Sequence, residues 1–98
     1  MMIITGSAII RPDQLENAIE VGIEHSRRSR AEPGCIAHNC HIHTENPRRI
    51  VFLEEWVDMA VVRTHFAVPE SGEFVAAIGA MTVAAPVMRI FEAGEVGR

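Results

Sequence analysis

Two runs in the middle of the chain, Cys35 to His43, which alternates, and Ile50 to Trp56, an apolar run ending Glu54-Glu55-Trp56, are separated by Asn46-Pro47-Arg48-Arg49. No other feature constrains the fold as much. Period-two alternation marks a strand, and a Pro at the second position suits a tight turn. The two runs therefore predict a central hairpin. Before it, Pro12 opens a helical pattern in which Leu15, Ala18, Ile19, Gly22, Ile23 and Ser26 share one face. Pro33-Gly34 stops that helix. After the hairpin, Asp58 is placed to cap a second helix running to about Val68. Pro69 to Gly72 is expected to interrupt it, and Phe74, Ala77, Ile78 and Met81 resume helical spacing to about Val83. Ile3 to Ile10 and Val87 to Glu92 supply a first and a last strand.

The order β-α-β-β-α-β predicts an α+β, ferredoxin-like fold with an antiparallel sheet and helices on one face. A chain of 98 residues makes one domain, expected over 1–98 with residues 93–98 as a fraying tail. An uncovered sheet face should be polar when a chain works alone. Here Val51 and Leu53 oppose Ile50, Phe52 and Trp56, and Val87 and Phe91 oppose Met88 and Ile90. Apolar residues on both faces predict a homodimer packed through the sheet face.

Composition removes several kinds of chemistry. All nine basic residues are Arg, so no lysine is present for Schiff-base chemistry, and no Tyr is present for phenol-based proton transfer. A net charge of −4 without a basic tract argues against nucleic acid. No apolar run approaches the ~20 residues of a membrane span, and the apolar N-terminus lacks the basic region of a signal peptide, so a cytoplasmic protein is expected. Cys35 and Cys40, about 16 Å apart along one strand and on opposite faces by parity, are too far apart for a disulfide, which needs Cα atoms within about 7 Å.

Four polar side chains fall where a pocket between sheet and helices would be. Glu54 shares a strand face with Phe52 and Trp56, where enclosure would make it a usable base; pairing with an Arg is the alternative. His65 lies on the apolar side of the second helix, either as a pocket base or as a core histidine satisfied by a carbonyl or by Glu54. His38 shares a face with Ile36, Cys40 and Ile42. Arg89, between Val87 and Phe91, needs an anionic partner, either a ligand or a carboxylate in the dimer. His41 and His43 share the other face with Asn39, and His-x-His without a third ligand of matching parity does not make a metal site. No metal is expected. Arg27, Arg28 and Arg30 are expected to be a solvated, dipole-matched helix end.

Glu32-Pro33-Gly34-Cys35, the strand after it, Asn46-Pro47-Arg48, Glu54-x-Trp56, Asp58, His65, and Pro69 before Phe74 together resemble the antibiotic biosynthesis monooxygenase family of dimeric α/β-barrel proteins. The resemblance covers nearly the whole chain and implies a pocket between sheet and helices in each subunit. It also implies a cofactor-independent monooxygenase that oxidises a small phenolic, quinol or anthrone-like compound with O2. On that reading Trp56, Phe52 and Phe74 form apolar walls, His65, Glu54 or His38 takes a proton, and Arg89 steadies the anion. The haem-degrading branch is disfavoured, because the first strand offers Gly6 and Ser7 where that branch has Asn, and the late helical segment has no His. The alternatives are a non-catalytic dimeric small-molecule-binding or stress-response protein, and an isomerase of small oxygenated metabolites on the same scaffold.

Overall fold

A computed structural model of the protein describes residues 1–97. Strand β1 spans Met2–Ile9, and a 3-10 turn, Pro12–Gln14, leads into helix α1, Leu15–Arg30. Strands β2, Cys35–His43, and β3, Asn46–Trp56, form the central hairpin. Helices α2, Met59–Ala67, and α3, Pro69–Met81, precede the last strand, β4, Val87–Glu92. The four strands form one antiparallel sheet in the order β2-β3-β1-β4, so the expected ferredoxin-like α+β fold is the fold observed.

Local chemistry explains where the elements differ from expectation. The hairpin turns at Thr44-Glu45, with Asn46 already paired to His43. Pro47 is tolerated inside β3 because β3 runs past the end of β1 there. The last β1 partner is Ile9, opposite Arg49, so position 47 owes β1 no N–H. Similarly, Pro69 to Gly72 does not interrupt the helical region. Val68 is extended (φ −64°, ψ 126°), and Pro69 is the first residue of α3, where a missing N–H costs nothing. Asp58 caps α2 as expected, its carboxylate accepting the Val61 N–H at 3.0 Å.

A bulge between Cys35 and Ala37 corrects the cysteine parity. The extra residue brings Cys35 opposite Trp56, while Cys40 lies opposite Phe52. Both free thiols therefore face the helices. The last described residues have no regular structure, although Ala93 exchanges two backbone hydrogen bonds with Met1 at 2.8 and 2.9 Å. The end of the tail, Arg98, lies outside the described residues.

The core has two parts. Ala8, Ile10, Ala18, Ile50, Phe52 and Ile78 fill one end, and Ile4, Trp56 and Val62 the other. Along β3 the boundary between them falls at Glu54. Outward, Leu53, Val87 and Phe91 remain exposed on the sheet face opposite the helices.

Candidate functional site

The site occupies the seam between the two apolar clusters and draws on four elements. On α1, Ala18, Gly22, His25, Ser26 and Ser29 form the buried stripe. Gly22 sets its height above the sheet, since a Cβ there would lie 2.9 Å from Cys40 Sγ and 3.3 Å from Phe52. One turn later this close approach places His25 and Ser26 over β2. His38, fully buried, is paired across the sheet with Glu54. His65 descends from α2, one turn beyond the buried Val62. Gly34, at φ +83°, lies against Val61, and that turn brings Glu32 to α2.

One indole N–H and two imidazole nitrogens surround one carboxylate oxygen. Trp56 Nε1 donates to Glu54 Oε1 at 3.0 Å, His38 Nε2 lies 3.4 Å from the same oxygen, and His65 Nε2 lies 3.8 Å from it. His65 Nδ1 donates to Glu32 Oε1 at 2.9 Å, and Glu32 Oε2 accepts from Arg28 at 3.2 Å. Arg28 also donates to His25 Nδ1 at 2.7 Å. A guanidinium has no acceptor, so Nδ1 of His25 is the acceptor and its Nε2 holds the proton. His38 Nδ1 meets Ser26 Oγ at 2.9 Å. With a carboxylate beyond Nε2, the tautomer protonated at Nε2 is favoured, and Ser26 then donates to Nδ1. The 3.4 Å contact to Glu54 is not a formed hydrogen bond, and His38 Nε2 has no partner among the described residues.

Electrostatics follow the packing. Burial, then His38, Arg28 and His65 beside it, lowers the pKa of His25 to about 3, so its ring is neutral at ordinary pH. It stacks flat on Phe74, with ring centroids 3.8 Å apart and planes 3° from parallel. Burial pushes the Cys40 thiol up to about 11. The Cys35 thiol is also raised, by burial and then by Glu32 and Glu54. Neither is a ready nucleophile at neutral pH.

Two cavities adjoin the cluster. The first, of about 300 Å3, lies between sheet and α3; Phe52, Phe74, Ile78 and Met88 contribute apolar lining, and Glu54 is the one ionisable residue among the described residues lining it. The second, of about 390 Å3, opens between α1 and α3, with His25 and Phe74 in its wall and Glu20, Glu24, Glu70 and Glu73 around it.

Of the residues singled out from sequence, Glu54, His38, His65, Trp56, Phe52 and Phe74 are brought together. Arg89 is not. It projects from the exposed strand β4 on the opposite sheet face, its guanidinium carbon 4.7 Å from the Phe91 ring centroid. Glu54 has an indole and two imidazoles around it in place of an Arg, and the partner of His65 is Glu32. Arg28 and Arg30 are more than a solvated helix end. Arg28 ties His25 to Glu32, and Arg30 donates to the His38 carbonyl at 3.0 Å. His25, absent from the residues singled out above, is legible in the sequence, since it lies three residues after Gly22 and seven after Ala18, on the stripe that faces the sheet. Glu32 carried no such signal, since its role depends on how a loop folds back.

A family model for antibiotic biosynthesis monooxygenases matches residues 1–77. The uncharacterized protein sll1783 of Synechocystis is 30% identical over 74 residues, which are 76% of this chain and 50% of that protein. The chain thus spans half the length of this curated relative. Among solved structures, one described as an antibiotic biosynthesis monooxygenase superposes with a TM-score of 0.89 at 24% identity, covering 97% of this chain and all of that one. Rv0793 from Mycobacterium tuberculosis gives 0.89 at 15% identity, covering 98% of each chain. At these identities the superpositions speak for the fold. The match over residues 1–77 speaks for descent, and by it this chain belongs to the antibiotic biosynthesis monooxygenase family.

Proposed function

We propose that the protein is an oxygenase of a small, electron-rich aromatic compound, of the phenol, quinol or anthrone kind, bound in the cavity between sheet and α3. The observation that carries this reading is the placement of Glu54. Glu54 is the one ionisable residue among the described residues lining an apolar cavity of about 300 Å3, a volume at the small end of ligand sites, suited to a compound of few rings. Trp56 anchors the Glu54 carboxylate through the indole N–H.

On this reading Glu54 takes the proton that activates the substrate, from a phenolic O–H or from an acidic ring C–H. The resulting anion is oxidised by O2. In the anthrone case a CH2 becomes C=O, one oxygen atom enters the carbon, and the other leaves as water with both hydrogens. The proton on Glu54 has an outlet, because His65 lies 3.8 Å from it and is itself bonded to Glu32 at the site's edge. Phe52 and Phe74 hold the ring, and the Trp56 indole holds the carboxylate. Arg89, on the outer face, has no part in the step.

The test is oxygen consumption by the full chain against a panel of quinols, anthrones and catechols. Turnover of at least one class is expected, with Glu54→Gln lowering kcat on the order of 10²–10⁴-fold, the usual range for a lost general base. Flat traces across the panel, or full turnover by the Glu54→Gln variant, would sink the reading.

A further inference from the structure

We propose that His25, His38 and His65 form a binding site for one divalent transition metal ion of the imidazole-preferring kind, with the Glu54 carboxylate as the fourth group. One ring nitrogen of each histidine lies within 4.8 Å of the others, and all three rings are buried. A point equidistant from three atoms at that separation is about 2.8 Å from each. Zinc binds imidazole nitrogen at about 2.0–2.1 Å, so each ring need move inward by less than about 1 Å. Glu54 Oε1 stands 3.4 Å from His38 Nε2 and 3.8 Å from His65 Nε2. The ligands come from α1, β2, β3 and α2, so the packing of the fold already holds them.

Two further observations point to a ligand. His38 Nε2 is fully buried and has no hydrogen-bond partner among the described residues, although a buried polar nitrogen left alone is costly. The far nitrogens of two of the rings also have partners that can take up an N–H: His65 Nδ1 donates to Glu32, and Ser26 Oγ, 2.9 Å from His38 Nδ1, can turn to accept once an ion displaces the proton from Nε2. An approach route exists as well. His25 edges the cavity between α1 and α3, which Glu20, Glu24, Glu70 and Glu73 also line.

Arg28 is the element that opposes metal entry. It donates to His25 Nδ1 at 2.7 Å and so keeps the proton on Nε2. Ligation through Nε2 needs the other tautomer, so Arg28 must release His25. Glu32, already 3.2 Å from its other nitrogen, is there to retain it. Arg28 therefore sets the affinity. An ion in the site would also engage the oxygen that the proposed oxygenation uses as a base, so the same four groups would serve as a metal site or a proton site, but not as both at once.

The test needs no substrate, so it stands apart from the oxygenase reading. The full chain, stripped with a chelator, is titrated with Co2+ while visible d–d bands and the bound stoichiometry are followed. One ion per chain with the intense bands of a four-coordinate site is expected. These should be lost in His25→Ala, kept in the His41→Ala/His43→Ala double variant, and shifted to about tenfold lower Co2+ in Arg28→Met. Wild-type chain titrated with Zn2+ and followed by 15N NMR of the imidazoles avoids any question of variant folding. His25, His38 and His65 should respond together. No band, a band that survives His25→Ala, or a response confined to His41 and His43 would each overturn the assignment.

Discussion

His25 shows most directly how a buried side chain makes stability depend on pH. In the unfolded chain an imidazole takes a proton near its ordinary value of 6.5, whereas in the folded protein His25 does so only near 3. Between those values the unfolded state holds the extra proton. The stability contributed by neutral His25 is thus fully present above 6.5 and is lost as pH falls toward 3. The loss amounts to a few kcal/mol at most, since some solvent reaches the ring. Urea midpoints compared between about pH 7 and about pH 4 should fall steeply for the wild type and less steeply for His25→Phe, which keeps the stacking on Phe74. Equal slopes would show that His25 does not carry the effect. At this scale the sequence was legible wherever a side chain follows the period of its own element, as Glu54, His38 and His65 do. It was silent about Glu32, whose contact with His65 spans 33 residues and depends on the path of a turn.

That turn belongs to the scale of elements. Gly34 sits at φ +83°, and a Cβ there would come within 2.6 Å of Val61 Cγ1. An alanine would meet both the left-handed backbone penalty and a clash with the first turn of α2. Gly34→Ala is expected to destabilise the protein by about 2 kcal/mol or more in urea unfolding, and to move Glu32 off His65. An unchanged midpoint would contradict the account. The hairpin and the helix stripes could be read from periodicity because each repeats its signal over two or more turns or several residue pairs. The turn at Thr44-Glu45 and the start of α3 at Pro69 could not. Proline marks a boundary but does not say which side of it the element lies on, and both prolines here sit inside an element at positions that lack a donor requirement. The bulge at Cys35/Ala37 was hidden for a related reason, because one inserted residue reverses strand parity without altering composition.

For the whole molecule, the sheet is covered by helices on one side and bears exposed Leu53, Val87 and Phe91 on the other. A face of this kind is costly to leave in water, and we expect a second copy of the chain to cover it. Sedimentation or light scattering should give the mass of two chains, and Leu53→Glu with Val87→Glu should return one; a wild-type monomer at micromolar concentration would rule the dimer out. The sequence disclosed this face through alternation, but it could not show that Arg89 belongs to it, because parity alone does not say which face the helices take. One consequence concerns how the protein can be watched. Its single tryptophan donates to Glu54 and lies 4.5 Å from the His65 ring, so all of the indole emission of the molecule originates at the candidate site. The chain carries its own optical probe, and any proton, ion or aromatic guest that changes the charge around Glu54 alters the light from the entire protein.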